Sequence, residues 1–300
     1  MEYRTYYALY CAVIVSLGGF VFGFDAAVIS GVVGAVTVEF DLTPIQSGFV
    51  VAAPTLSGVF GTLVIGPLSD ALGRKKVLIL IAFLYLLSAV ASAFATSYMM
   101  LVVARAIGGL AFTSLMIAPM YIAEIAPAKL RGKLVSINQL NIVIGLSAAY
   151  FANYFIIQAS ASGADWVAAW GVDAHTWRWM LGVEIVPAVI FLLGLFIIPD
   201  SPRWLTNNGR EEEARAVLAK LMPADQIDDE VEVIKNSFDS ENGALWMRIK
   251  AVLGPKMRLA LIVGIIVGVV QQITGINAIF FYAPTIFEQS GIGTDAAFAQ

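Results

Sequence analysis

Apolar residues run almost unbroken through seven stretches of the chain, at about 8–36, 47–68, 77–96, 99–123, 134–157, 179–198 and 259–287. Each reaches the roughly 18–20 residues that a helix needs to cross the hydrocarbon core of a bilayer. Lipid offers no partners for backbone N–H and C=O groups, so the pattern predicts seven membrane-spanning helices. Polar residues collect between them, and two of the gaps are long enough to hold structure. The gap at about 205–256 opens with Gly209-Arg210-Glu211-Glu212-Glu213, whose acids suit the first turn of a helix running to Leu221, with Pro223 as its stop. Val231, Val233, Ile234 and Phe238 predict a second helix and Trp246, Ile249 and Leu253 a third, their apolar faces covering one end of the spans. The gap at about 158–177 carries Trp166, Trp170 and Trp177, read as anchors at the membrane surface, with a substrate vestibule as the lesser alternative.

Composition agrees with the pattern: 59% of the 300 residues are hydrophobic and 13% charged, against about 25% charged in soluble domains. The expected class is an all-α integral membrane protein. The first apolar stretch is too long for the core of a cleaved leader and is retained as a span. Sixteen of the eighteen Lys and Arg fall in alternate gaps: Arg4, then Arg74 to Lys76, then Lys129 to Lys133, then the run from Arg203 to Arg258. The face with this excess is cytoplasmic, which puts the amino terminus inside. The acidic balance comes from Asp and Glu in the large inner gap and implies no nucleic-acid partner. Cys11 is the only cysteine and forms no internal disulfide, and His175, the only histidine, has no neighbours that suggest a metal or a catalytic pair. No nucleophile, metal cluster or phosphate loop is visible, so an enzyme is not expected.

Three ionisable residues, Asp25, Arg105 and Glu184, lie inside apolar stretches. Charges at such positions are costly unless paired or wetted, and they mark functional sites by default. Counting from the helix ends at 1.5 Å per residue places Asp25 ~16 Å, and Arg105 and Glu184 ~9 Å, below the outer edge. All three fall in the outer half at similar depth, where two acids competing for one arginine make a proton-loadable site. The bland reading has Arg105 snorkelling to the headgroups and the acids hydrogen-bonding to neighbouring helices.

Between the second and third spans, Gly66-Pro67-Leu68-Ser69-Asp70-Ala71-Leu72-Gly73-Arg74-Lys75-Lys76 fits the spacing GxxxDxxGRK. This motif resembles the major facilitator superfamily. Further matches cover nearly the whole chain and narrow the resemblance to its sugar porters. They include Gly18-Gly19-Phe20-Val21-Phe22-Gly23-Phe24-Asp25, Arg105-Ala106-Ile107-Gly108-Gly109 and Tyr121-Ile122-Ala123-Glu124-Ile125-Ala126-Pro127 with Arg131-Gly132. Pro199-Asp200-Ser201-Pro202-Arg203-Trp204-Leu205 and Gln271-Gln272-Ile273-Thr274-Gly275-Ile276-Asn277 complete the set. The chain is similar to bacterial xylose and hexose:proton symporters.

A sugar is a ring of hydroxyls around apolar CH faces, so its site needs amides that both donate and accept, beside aromatic surfaces. Gln271 and Gln272 fall near the bilayer midplane on the seventh span, and Gly275 can loosen that helix. The resemblance implies sugar contacts from Phe22, Gln139, Gln271, Gln272 and Asn277, and a coupling role for Asp25 with Arg105, modulated by Glu184. It also implies that Asp70, Arg74, Glu124, Arg131, Asp200 and Arg203 form half of a cytoplasmic ion-pair latch. Phe24 and Asp200 depart mildly from the family pattern, which has Tyr and Glu there.

The implied activity is alternating-access transport of a pentose or hexose with proton symport. Proton-independent diffusion and an inactive relative or membrane sugar sensor are the alternatives. No cofactor is implied beyond the proton as coupling ion; the setting is a bacterial inner membrane, and the complete protein is expected to be a monomer. The implied major facilitator fold divides the chain into an N-terminal six-helix bundle at 1–204, cytoplasmic helices at 205–256 and the first helix of a C-terminal bundle at 257–300. Family transporters have twelve spans, so the chain is expected to be a piece of a longer protein or a shortened product.

Overall fold

The computed structural model describes residues 2–127, 129–239, 254–255 and 257–289. Helices α1 (Glu2–Glu39), α2 (Pro44–Leu72) and α3 (Arg74–Ala93) are the first three spans, and α4 (Tyr98–Ala111) with α5 (Ser114–Ile125) makes the fourth. Helix α6 (Arg131–Ala161) is the fifth, and the short α7 (Asp165–Trp170) precedes α8 (Thr176–Val183) and α9 (Ile185–Ile197), which together make the sixth. Helices α10 (Pro202–Asn207), α11 (Glu211–Leu221) and α12 (Ile227–Asp239) follow, and α13 (Arg258–Ile273) with α14 (Ile276–Gln289) forms the seventh span. All seven apolar stretches are helical, and no strand occurs among the described residues.

Local chemistry explains where the helices begin and break. Thr43 caps α2 by accepting from the Gln46 backbone N–H at 3.3 Å, while the Gln46 side chain takes the Thr43 N–H at 2.9 Å and Pro44 occupies the first turn. The sixth span breaks at Glu184 because Pro187, three residues on, has no N–H to give the Val183 carbonyl. The fourth span breaks at Phe112-Thr113, just after the weak helix formers Gly108 and Gly109. Neither break was legible from hydropathy.

The first and fifth spans approach most closely. A Cβ on Gly23 would lie 2.1 Å from the Ile142 carbonyl oxygen, and one on Gly145 would lie 2.1 Å from that of Phe20. Only hydrogen fits at this crossing, as at membrane helix pairs that bring backbones together. Polar rungs flank it: Asn141 donates to Ser16 at 3.0 Å and Asn153 to the Val28 carbonyl at 3.0 Å. Gly23→Ala is therefore expected to force α1 and α6 apart at a cost of about 1–3 kcal/mol, read as a lowered unfolding temperature in detergent.

Two buried apolar clusters fill the bundle, one around Tyr85, Tyr121, Phe191 and Trp204 and the other around Ile29, Leu101, Trp177 and Leu181. Trp177 is a correction to the expected surface anchors. The sixth span starts at Thr176, earlier than expected, and draws Trp177 and Arg178 inward. The Trp177 indole N–H donates to Glu39, its ring lies under the Arg178 guanidinium, and Arg178 donates to Glu39 at 2.7 Å. Trp166 and Trp170 are exposed on α7.

Helix α11 ends at Leu221 before Pro223, as the acids and the proline predict. In α12 the 3.6-residue period turns Val231 and Ile234 inward but leaves Val233 61% exposed, against the expectation that it covers the bundle. The Phe238 side chain, and the expected third helix with Trp246, Ile249 and Leu253, lie outside the described residues. Lys235 and Arg215 both bind Glu211, Arg215 also binds Asp228, and Arg210 pairs with Glu213 at 2.6 Å. The hydrogen bond from Lys235 holds the Glu211 carboxyl below its ordinary range, and the one from Arg210 does the same for Glu213. A depressed carboxylate contributes stability above its unfolded value and loses it as pH falls through the folded one. Amide exchange in α11 and α12, corrected for intrinsic rates, is therefore expected to speed up on acidification from about pH 7 to about pH 3.5.

Candidate functional site

Asp25 and Arg105 meet. The Arg105 guanidinium donates through Nη1 to Asp25 Oδ1 and through Nη2 to the Asp25 carbonyl at 3.4 Å, and the two side chains are only 1% and 2% exposed. Glu184 is equally buried at the break of the sixth span and lies near enough to Asp25 and Arg105 to act on both electrostatically. Snorkelling is excluded by this geometry. Asp25 Oδ2, Arg105 Nε and Glu184 Oε1 have no hydrogen-bond partner among the described residues. One guanidinium faces two carboxyls, so the cluster carries one negative charge when both acids are ionised and none when one takes up a proton. Two buried carboxyls near one guanidinium repel each other when both are ionised, and a proton on one of them relieves that repulsion.

A cavity of about 820 Å³ opens between the first, second, fourth, fifth and seventh spans. Phe22, Gln139, Gln271, Gln272 and Asn277 all line it. Asn277 donates to Gln272 Oε1 at 3.0 Å across the break between α13 and α14, where Gly275 has φ +72°. Phe22 meets the Phe112 ring edge-on at 4.7 Å, giving the cavity an aromatic wall. Neutral amides beside aromatic rings are the groups that recognise hydroxyls and CH faces together. Asp25, Arg105 and Glu184 do not line this space: Phe22, Gly23 and Ala26 do, and Asp25 points to another side of α1. Thr55, Thr62 and Asn138 line it too and were missed. The spacing Thr55, Gly58, Thr62 along one face of α2 was the signal that could have found the two threonines.

At the turn that joins the second and third spans, Arg74 binds Glu124 at 3.0 Å and Asp70 at 3.1 Å. Gly73, with φ +90°, makes the turn from α2 into α3, and a Cβ there would sit 2.9 Å from the Trp204 ring. Ser201 donates to Glu124, and the Trp204 indole N–H donates to the Asp70 carbonyl at 3.0 Å. Arg203 lies near enough to act electrostatically on Glu124. Arg131 shares with Glu124 a small cleft of about 190 Å³. Asp200 Oδ1 is buried with no hydrogen-bond partner among the described residues, so the structure does not join Asp200 to this network through that atom. Ser201 and Trp204 were not among the expected latch residues.

These elements define a helical membrane protein whose buried charge cluster stands apart from a polar, amide-lined cavity. Its helices superpose on a solved structure of the proton:xylose symporter XylE of the major facilitator superfamily, bound to 6-bromo-6-deoxy-D-glucose, with a TM-score of 0.85 at 33% identity over 99% of this chain and 66% of that one. The partially occluded inward-open xylose transporter from E. coli matches with a TM-score of 0.81 at 32% identity, over 98% of this chain and 68% of that one. Residues 11–300 match the family described as sugar (and other) transporter, and the chain belongs to it. It is 40% identical over 287 residues to the arabinose-proton symporter of Bacillus subtilis, covering 94% of this chain and 59% of that protein. It is 34% identical over 329 residues to the D-xylose-proton symporter of Escherichia coli, covering 100% of this chain and 64% of that protein. The chain thus spans about 60% of the length of the curated relatives it matches.

Proposed function

We propose that the protein carries a monosaccharide, pentose or hexose, across a bacterial inner membrane by alternating access, in symport with protons. The observation that carries this reading is the sequestered Asp25–Arg105 pair with Glu184 at its side, set apart from the cavity that holds Gln139, Gln271, Gln272 and Asn277. A carboxylate bound to arginine in a dry interior is held in one arrangement, and neutralising it weakens that arrangement. Proton uptake at Asp25 thereby releases Arg105, Glu184 takes part in sharing the proton and the guanidinium, and the bundle walls rock about the sugar. The names of the arabinose-proton and D-xylose-proton relatives support the same coupling ion.

The Asp70, Arg74, Glu124 and Ser201 contacts tie the inner ends of the second, third, fourth and sixth spans, and in this reading they are latch contacts that hold the cytoplasmic side closed. Arg131, Asp200 and Arg203 belong to the same latch. The amino terminus is cytoplasmic, the 205–256 segment lies on that side, and 257–300 begins the second bundle. The test is uptake of labelled pentoses and hexoses by the native-length protein in proteoliposomes, with and without an imposed pH gradient. Accumulation above equilibrium that needs the gradient is the expected result; equilibration alone would point to facilitated diffusion.

A further inference from the structure

Asp25, Arg105 and Glu184 do not line the cavity, which leaves a separate route open to their proton. Helix α3 supplies the polar side chains that could make one. Tyr85, Ser88 and Ser92 are buried at 0%, 2% and 2% exposure, at positions i, i+3 and i+7 of one helix face, whereas Phe83, Leu87 and Val90 face outward. Ser88 donates to the carbonyl of Ala104, the residue before Arg105, at 2.8 Å. Ala93 lies opposite Gly182, 3.7 Å from where a Cβ would stand on it, so Ser92 sits in the last turn of α3 near the level of Glu184. Tyr85 lies deeper, with its hydroxyl 3.1 Å from Ser114 Oγ and within the electrostatic reach of both Asp25 and Glu184.

Ser92, like Ser69 on α2, departs from the common habit of buried helix serines. A serine in a membrane helix ordinarily returns its hydroxyl to a carbonyl one turn back, as Ser16 does to Ala12 and Ser30 to Ala27. Ser92 Oγ has no hydrogen-bond partner among the described residues although it is buried, and Glu184 Oε1 and Asp25 Oδ2 share that property. Unpaired buried polar atoms on facing elements call for a shared hydrogen-bonded element.

We infer that the hydroxyl face of α3 is the proton entrance to the Asp25–Glu184 pair, with Ser92 as its outer member, separate from the sugar path. A hydronium ion at the outer surface gives a proton to Ser92 Oγ while the Ser92 hydroxyl proton passes to the Glu184 carboxylate, once side-chain rotation brings the two within hydrogen-bonding distance, leaving water and an intact serine. The proton then moves between Glu184 and Asp25, whose facing groups are Arg105 on α4, Tyr85 on α3 and each other. Ser88 and Tyr85 are positioning residues that hold this face against α4 and α5.

This inference rests on the proposed symport, and its test separates the two. Ser92→Ala and Ser92→Thr are compared with the unsubstituted native-length protein in proteoliposomes, reading sugar-driven proton uptake, sugar counterflow at equal pH on both sides, and the ratio of proton uptake rates in H2O and D2O. Ser92→Ala is expected to slow proton uptake roughly tenfold, less than the ~10²-fold or more that a general acid or base contributes, because Ser92 only relays the proton. Its counterflow is expected to stay within about twofold and its solvent isotope ratio to change, with Ser92→Thr restoring the rate. Unchanged proton uptake in Ser92→Ala, or equal loss in the Thr and Ala variants, overturns the entrance while leaving symport standing. Absence of sugar-driven proton uptake in the unsubstituted protein overturns symport itself, and the entrance with it.

Discussion

Asp25→Asn is expected to abolish pH-gradient-driven sugar accumulation while leaving sugar exchange intact. The amide keeps the shape of the carboxyl and its place against the Arg105 guanidinium, but it neither holds the charge nor releases the proton. With one proton carried per sugar, a one-unit pH gradient supports about tenfold accumulation, equivalent to about 1.4 kcal/mol. The variant should fall to a ratio of about one. Exchange needs only that the loaded carrier reorient, and the neutral side chain mimics the loaded state. Counterflow of labelled sugar and gradient-driven uptake measured on the same vesicles separate the two properties. Full accumulation by Asp25→Asn contradicts the assignment.

Gln272→Ala is expected to weaken sugar binding strongly. Gln272 accepts from Asn277 at 3.0 Å and lines the cavity beside Gln271. Removing its amide takes away a proposed sugar contact and leaves Asn277 without this partner, a combined loss of about 1–3 kcal/mol, or roughly 5- to 150-fold in affinity. Titration calorimetry on the native-length protein reads the change, and Gln272→Glu, which keeps the acceptors, should lose less. An unaltered affinity in Gln272→Ala would move the sugar site away from this cavity.

The legible parts of the fold are those governed by the bilayer. Seven apolar runs could be read directly, because each span must satisfy its own backbone. The meeting of Asp25 and Arg105 was also legible, since similar depth and opposite charge favour pairing over snorkelling. Trp177 was not: hydropathy placed it in a loop, and only the Glu39–Arg178 contact shows why the sixth span begins early enough to bury it. Val233 failed because a run of apolar residues hid a period that turns only Val231 and Ile234 inward. The amides of the cavity were foreseen from motif and chemistry together, whereas Thr55, Thr62 and Asn138 carry small polar groups whose direction depends on helix packing. Ser92 could not have been singled out from sequence, because a membrane serine that bonds its own helix and one that does not look the same there.

The central claim is that Asp25 couples sugar movement to a proton. Sugar added outside lightly buffered proteoliposomes holding the native-length protein, with no pre-set pH gradient, tests it directly. The external medium is expected to turn alkaline as sugar enters, about one proton disappearing per sugar, while Asp25→Asn admits sugar by exchange with no such change. Sugar entry through the unsubstituted protein without any movement of protons would contradict it.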